Sequence, residues 1–301
     1  MLPHLLPGAD RRTALRVFTE IHISASNLRG NGGNGNLLGR YLDWSDNSAA
    51  QLRGQVPRGE IDRLIFTDRH RLLWASHAAR SAADNGVTFE LDERIAALEA
   101  AKNAIADRIR SWERVDVFLA LDTTFFLNHD KPLRETNFHD LLDDNRENIQ
   151  ILVPLAVIDE LDRLKEGAER YRARARYSIA VLDDLLRDPD RPGLLLPENG
   201  TPTTSRRETR VEVILDRPGH IRLADTDDEI VDRVAAIESF AGRPIMLITF
   251  DTGMALRARA AGLTVAKFKK DPGPEQKPRR EDKFHGPSTF TIWRSRSRWD
   301  S

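Results

Sequence analysis

Residues 118–124 read Phe-Leu-Ala-Leu-Asp-Thr-Thr, and residues 246–252 read Met-Leu-Ile-Thr-Phe-Asp-Thr. Both stretches are short apolar runs that end in an aspartate followed by a threonine, Asp122 in the first and Asp251 in the second. Short apolar runs bounded by polar residues are typical of strands buried in a parallel sheet. Ligands of open parallel sheets bind beyond the carboxyl ends of the strands, and both aspartates are predicted to lie there.

Further short apolar runs, separated by helical patterns, extend this alternation over residues 116–268. The predicted strands are 117–121, 149–153, 211–215, 245–250 and 264–268. Residues 156–187 keep the apolar spacing of a helix, with Gly167 as a point where the helix can break. Residues 188–209 are rich in Pro, Gly, Thr and Asp and are predicted to form a surface loop. The alternation predicts an α/β domain with a largely parallel sheet.

The parts of the chain on either side have different patterns. Residues 1–115 carry apolar side chains three and four positions apart, which predicts an all-helical N-terminal domain. Residues 269–301 are predicted to form a basic C-terminal tail. From Lys267 to the end there are ten basic and five acidic residues, whereas the whole chain has a net charge of −1. This asymmetry allows an acidic site beside a basic tail.

The composition excludes several classes of protein. Hydrophobic residues make up 40% of the chain and charged residues 31%, which is typical of a globular protein with a sizeable core. The absence of cysteine excludes disulfides, thiol catalysis and thiolate zinc sites, but it leaves open a cation held by carboxylates. No apolar run approaches the ~20 residues that span a bilayer. The first residues do not resemble a signal peptide, so we expect a cytoplasmic protein with no membrane partner.

Two further acidic groups are expected to join Asp122 and Asp251. Glu160 comes three residues after Val157 and four before Leu164, which places it at the edge of a buried helical stripe. Asp227 belongs to an acid-rich helix start, residues 224–230, that also matches a capping box. Each acid alone has an ordinary explanation as a helix cap or a solvated charge. Together they would repel one another unless Mg²⁺ or Mn²⁺ neutralised them.

These residues resemble the PIN-domain nuclease family, and the resemblance covers about half of the chain. It rests on an aspartate after the first strand, a strand leading into a glutamate-bearing helix, an acid-rich helix start and a late strand with an aspartate. The motifs are residues 121–124, 153–165, 227–230 and 247–252. The second of them is the most specific. The loop and strand near Thr209 look most like the PIN domains that precede a PhoH-type ATPase, but this sequence lacks that ATPase's phosphate-binding motif.

The resemblance implies a parallel sheet sandwiched by helices and metal-dependent cleavage of single-stranded or structured RNA. It implies that four acids are catalytic and hold one or two Mg²⁺ or Mn²⁺ ions: Asp122, Glu160, Asp227 and Asp251. Asp228 is a further candidate ligand, and either Asp228 or Asp225 can replace Asp227. The family commonly has Asn or Ser at the position of Thr124 and often Asn at the position of Phe250. Three threonines are nevertheless expected to hydrogen-bond a ligand or a carboxylate: Thr124, Thr249 and Thr252.

Basic residues that follow Glu160 are candidates for guiding RNA phosphates. They are Arg163, Lys165, Arg172 and Arg176. The alternative is that they form a solvated helix surface, since arginines spaced by two spread around a helix. The N-terminal helices are expected to contact a protein partner or a second copy of the chain. The alternative function is a non-catalytic PIN-like module for RNA binding or assembly, and metal titration separates it from a nuclease.

Overall fold

The computed structural model describes residues 2–30, 36–75, 83–142, 148–167, 169–188, 191–195, 208–216, 220–269 and 291–293. The chain forms two compact units, residues 1–113 with 236–242, and residues 114–235 with 243–301. The first unit is helical and the second is an α/β sandwich, so the predicted fold class is confirmed. Among the described residues, none of the helices combines the length and the apolar character needed to cross a membrane.

The first unit is a packed group of helices with a mostly apolar core. Its helices are α1 (Arg11–Gly30), α2 (Leu37–Leu52), α3 (Arg58–Leu64), α4 (Asp68–Ala75) and α5 (Ala83–Ser111). The buried side chains of this core include Phe18, Ile21, Tyr41, Leu52 and Leu91. Residues 236–242 complete the unit, because the Arg11 guanidinium donates to the carbonyls of Phe240 and Ala241 at 2.8 and 3.1 Å. Most of the glycine-rich stretch 30–36 lies outside the described residues.

The second unit is a seven-stranded sheet with helices between its strands. The strands are β1 (Val117–Leu121), β2 (Asn148–Pro154), β3 (Gly193–Leu194), β4 (Glu208–Ile214), β5 (Ile245–Thr249), β6 (Thr264–Lys267) and β7 (Thr291–Trp293). The helices are α6 (Thr123–Asn128), α7 (Phe138–Leu142), α8 (Leu155–Leu164), α9 (Glu169–Leu185), α10 (Thr226–Ala241) and α11 (Thr252–Ala260). The last turn of α10 belongs to the first unit.

The order of the strands creates a crevice at the end of β1. The sheet runs β3-β4-β2-β1-β5-β6-β7, with antiparallel pairing only where β3 meets β4 and β7 meets β6. After β1 the chain first adds β2 on one side and later adds β5 on the other side. This reversal is the topological switch point at which α/β sheets bind their ligands. Both Asp122 and Asp251 follow strands that end there.

The strands that the apolar runs predicted are all present, but the loop predicted over residues 188–209 is wrong in part. It contains β3, a two-residue strand that pairs with β4. Two residues are too few to show a periodicity, and Gly193 is needed by its surroundings, since a Cβ there would lie 2.2 Å from the Leu185 carbonyl oxygen. The long helix does break near Gly167, between α8 and α9. Most of the predicted basic tail lies outside the described residues.

Candidate active site

Asp122 is the most deeply buried acid at the carboxyl end of the sheet. It follows β1 directly and caps α6, because its carboxylate accepts a hydrogen bond of 2.9 Å from the Phe125 amide. The residue is only 1% exposed. A short polar side chain before a helix satisfies amides that have no partner inside the helix, and this explains why α6 begins at Thr123.

Two threonine hydroxyls hold the Asp122 carboxylate. Thr249 Oγ1 donates to Asp122 Oδ2 at 2.5 Å, and Thr124 Oγ1 lies 2.8 Å from each oxygen of the same carboxylate. The same two hydroxyls accept hydrogen bonds of 2.9 Å from the amides of Asp251 and Phe250. The hydroxyls therefore connect the end of β1 to the end of β5. Their predicted role of hydrogen-bonding a carboxylate is consistent with this geometry for Thr124 and Thr249.

Burial controls the charge of Asp122. Loss of water around the carboxylate raises the pKa of Asp122 from 3.8 to about 6, although hydrogen bonds from Thr249, Thr124 and the Phe125 amide act in the opposite direction. The negative charge of Asp227 raises this pKa further. A divalent cation would reverse the balance, since it favours the ionised carboxylate.

Asp251 occupies the equivalent position after β5 but is exposed to solvent. Its carboxylate accepts a hydrogen bond of 2.8 Å from the Met254 amide and caps α11. The neighbouring Thr252 is also exposed, and its hydroxyl contacts the Lys267 ammonium group at 2.5 Å. Thr252 therefore contacts a cation here rather than one of the four acids.

Glu160 extends from α8 beside the start of α6. The buried side of α8 carries Ala156, Val157 and Leu161, and Glu160 lies partly exposed at the margin of that side, as its spacing predicts. Thr123 Oγ1 donates to Glu160 Oε2 at 2.5 Å. Thr123 was not among the predicted residues, although it directly follows Asp122 in the sequence. The Asp-Thr-Thr order therefore supplies one hydroxyl to each of two carboxylates.

The acidic start of α10 has one basic partner on α11. The Arg257 guanidinium contacts the carboxylates of Asp225, Asp227 and Asp228 at 3.2, 3.3 and 2.8 Å. Asp225 also accepts from the amides of Asp227 and Asp228, so it is the residue that caps α10. Asp225 thus divides its carboxylate between this cap and Arg257, through Oδ1 and Oδ2 respectively.

Electrostatic coupling relates Asp227 to the other acids. Burial raises the pKa of Asp227, and the charges of Asp225, Asp251 and Glu160 raise it further, while Arg257 lowers it. Together with the effect of Asp227 on Asp122, this coupling means that the charge of Asp227 is repelled by each of the other three predicted acids. Such a set of oxygen ligands fits a hard cation such as Mg²⁺ or Mn²⁺, which would relieve the repulsion.

The comparison with known families concerns the part of the chain that contains these acids. A family model described as PIN domain matches residues 119–269, which is half of the chain and includes all four acids. The chain belongs to the PIN domain family. PIN domains are generally nucleases, and they typically use divalent metals. A search of curated proteins found no match to this chain.

In the described part of this PIN domain, the side chains that come closest together as potential metal ligands are not the four predicted acids. Potential ligand atoms of Asp216, His220 and Glu229 lie within 4.8 Å of one another. The four acids at the strand ends do not form such a group, so a bound ion would have to draw their oxygens closer, since Mg²⁺ ligands lie ~2.1 Å from the ion. Sequence analysis missed this cluster because Asp216 and His220 follow β4 without a regular spacing, and the pattern around Glu229 predicts a capping box at the start of α10.

The Asp216 cluster is stabilised by arginines. Glu229 is fully buried and accepts from the Leu223 amide at 2.8 Å, while His220 Nε2 lies 2.7 Å away. Arg233 lies 3.4 Å from Glu229, and Arg222 bridges Asp216 and Asp159 at 2.5 Å each. The side chain of Glu229 is thus used inside this network rather than in the predicted capping box. The ion pairs of this network connect Asp216, which follows β4, to α8 and connect His220 to the start of α10.

The predicted phosphate-guiding residues of the PIN domain lie on the surfaces of α8 and α9. Arg163 donates to the Asp159 carbonyl at 3.4 Å, and Lys165 pairs with Asp162 at 2.7 Å. Arg172 donates to the Gly167 carbonyl at 2.9 Å. Arg176 is exposed, and its charge lowers the pKa of Lys165, although the hydrogen bond with Asp162 has the larger, opposite effect.

Proposed function

We propose that this PIN domain is a Mg²⁺- or Mn²⁺-dependent ribonuclease that hydrolyses RNA phosphodiester bonds. Asp122, Glu160, Asp227 and Asp251 would hold the ion, with Asp228 as a further ligand. The observation that carries the proposal is the repulsion of Asp227 by Asp122, Glu160 and Asp251, two of which follow the neighbouring strands β1 and β5. Repulsion of this kind costs stability, and a bound cation is a physical reason for a protein to retain it.

The ion would neutralise the carboxylates so that an RNA phosphate can approach, and it would activate water for attack on the phosphorus. The residues of the chain have the task of positioning. Thr249 and Thr124 fix the Asp122 carboxylate between β1 and β5, and Thr123 orients Glu160. The three threonines thus orient these two carboxylates before the ion binds, and preorganised charges contribute most to stabilising a transition state.

The test is cleavage of end-labelled RNA in Mn²⁺ and in EDTA by the full chain and by Asp122→Asn, Glu160→Gln and Asp251→Asn. We expect EDTA to abolish cleavage and each substitution to reduce kcat/KM on the order of 100-fold or more, as the loss of one charge-stabilising group does. Asp162→Asn is the matched control, because Asp162 is an exposed acid on the same helix as Glu160. Cleavage that persists in Asp122→Asn or in EDTA would contradict the proposal.

The second candidate is a non-catalytic RNA-binding or assembly module, and one observation favours it. Arg257 contacts three acids at the start of α10 and provides a positive charge there without a metal. Isothermal titration with Mn²⁺ separates the two functions. A nuclease is expected to bind Mn²⁺ and to lose that binding in Asp122→Asn, whereas RNA binding with neither Mn²⁺ binding nor cleavage would favour the module.

A further inference from the structure

Three aromatic rings of the α/β unit form a partly exposed group that the four acids do not explain. Phe250 and Phe268 stack with their ring centroids 5.4 Å apart and their planes inclined by 26°. His129 approaches both rings edge-on, at 6.4 and 6.1 Å. All three residues retain partial solvent exposure. We call Phe250, Phe268 and His129 the aromatic platform.

The aromatic platform rests on the core of the unit. His129 stacks on Phe125 with centroids 4.7 Å apart, and Phe125 packs against Phe138 at 5.8 Å. Phe125 and Phe138 are each 1% exposed. His129 is therefore held in place before a ligand binds, which lowers the entropic cost of binding a planar ligand beside it.

The platform lies beside the acids. Phe250 stands between Thr249 and Asp251 in the chain, and its amide donates to Thr124 Oγ1, which in turn contacts Asp122. His129 ends the six-residue helix that Asp122 begins, and six residues of helix span about 9 Å. His129 and Asp122 are thus separated by the length of α6, about 9 Å, whereas Phe250 directly precedes Asp251.

Positive charges accompany the platform. Lys267 precedes Phe268, and its ammonium group lies 2.5 Å from Thr252 Oγ1, next to Asp251. The Arg174 guanidinium donates to the carbonyls of His129 and Asp130, the latter at 2.9 Å. Lys131 and Lys269 are exposed residues near His129 and Phe268 in the chain. Aromatic faces with neighbouring cations are the combination that binds single-stranded nucleic acids.

We propose that the aromatic platform stacks an unpaired base of the RNA substrate, on a nucleotide next to the phosphate that is cleaved. The inference rests on the proposed ribonuclease function, and it specifies the substrate as RNA that is single-stranded at this nucleotide. Stacking tolerates any base, because every base has an aromatic face. The platform would thus select for unpaired structure rather than for sequence.

The first experiment measures binding of end-labelled single-stranded RNA to the full chain in EDTA by fluorescence anisotropy. We expect Phe250→Leu and Phe268→Leu to weaken binding roughly tenfold, which is the scale of losing one stacked base, whereas Phe250→Trp preserves it. Phe89→Leu is the matched control, because Phe89 is an exposed phenylalanine on α5 of the helical unit. Equal affinities for the wild type and both leucine variants would overturn the proposal.

A second experiment keeps the proposal falsifiable even where a variant does not fold. RNA oligonucleotides in which one base at a time is missing are bound to the unsubstituted chain. For the unsubstituted chain, we expect one or two adjacent positions at which the missing base weakens binding about tenfold. For Phe250→Leu, the oligonucleotide that lacks this base should bind as tightly as intact RNA. A scan without such a position would overturn the platform.

The two experiments distinguish failure of the platform from failure of the proposed function. If the platform is wrong, the leucine variants keep wild-type KM, while Asp122→Asn still abolishes cleavage. If the nuclease is wrong, no variant cleaves RNA, and the anisotropy and base-removal measurements still report on stacking. Unchanged Mn²⁺ binding by Phe250→Leu would show that any loss of affinity arises at the platform and not at the acids.

Discussion

Asp122 and Asp251 occupy equivalent places in the sheet but have different surroundings. Each follows a parallel strand, precedes a threonine and caps a helix through the amide three residues later. Asp122 is 1% exposed and is held by two hydroxyls, whereas the carboxylate of Asp251 lies at the surface. Asp122 follows β1, the central strand of the sheet, and Thr249 on the neighbouring β5 reaches across to its carboxylate, whereas Asp251 follows β5, one strand nearer the edge.

The same local motif, an aspartate that follows a strand and caps a helix, thus places one carboxylate in a buried environment and the other in solvent. The buried carboxylate is fixed in place but is costly to ionise, so its pKa rises to about 6. The surface carboxylate keeps its contact with water while one of its oxygens caps α11. Burial, rather than the local sequence, therefore decides how costly each carboxylate is to ionise.

The largest expected effect is on stability as a function of pH. In EDTA, the free energy of unfolding of the wild type should fall relative to that of Asp122→Asn by on the order of 2–3 kcal/mol between pH 4 and pH 7, because the variant has no buried carboxylate to ionise. The sign follows from the raised pKa of Asp122: unfolding releases a proton between pH 3.8 and about 6, so rising pH favours the unfolded wild type. Urea denaturation at both pH values measures the difference.

The surface acid provides the control for that experiment. Asp251→Asn is expected to change the free energy of unfolding by less than about 0.5 kcal/mol, as most surface substitutions do. A similar pH-dependent gain in both variants would show that the contrast in burial between the two aspartates does not control their energetics.

A smaller effect is expected from the hydroxyl that connects the two strand ends. Thr249→Val removes the donor to Asp122 and the acceptor for the Asp251 amide, and we expect a loss of about 1–2 kcal/mol. The pKa of Asp122 should rise further, because the hydroxyl stabilises the ionised form. The loss should therefore be larger at pH 8 than at pH 4. Thr252→Val is the control, because Thr252 is exposed. Equal losses of unfolding free energy in the two variants would contradict a role of the Thr249 hydroxyl in connecting β1 to β5.

The smallest effect concerns the cap of α11. Asp251→Ala is expected to cost about 1 kcal/mol, because the Met254 amide loses its acceptor, whereas Asp251→Asn keeps the cap. Thermal unfolding of the two variants at pH 7 measures the difference between them. If the alanine variant is as stable as the asparagine variant, the side chain of Asp251 does not stabilise α11 as a cap.

Much of this molecule was predictable from its local patterns. The apolar runs predicted the strands of the parallel sheet, and the helical spacing of residues 156–187 predicted α8 and α9 together with the break at Gly167. The same spacing placed Glu160 at the margin of the buried side of α8. These features depend on short continuous apolar runs for the strands and on a 3.6-residue period for the helices, and both are present in the order of the amino acids alone.

Other features could not be predicted, because they depend on contacts between distant parts of the chain. Strand β3 is too short to have a period, and it exists because Gly193 fits against Leu185. The pairing of Arg257 with the acidic start of α10 joins residues about thirty positions apart. The aromatic platform combines rings from the ends of α6, β5 and β6, and no pattern in any one of these segments indicates it.

The sequence by itself determined the order of strands and helices and the presence of an acid after β1 and after β5. Hydrophobic periodicity and helix capping depend on residues that are close together in the sequence, so they can be recognised without the structure. Only the tertiary structure decided that Asp122 is buried while Asp251 is exposed, and that Thr123 and Thr124 serve different carboxylates. Burial and electrostatic coupling depend on which strands become neighbours, and that choice is made when the whole sheet assembles.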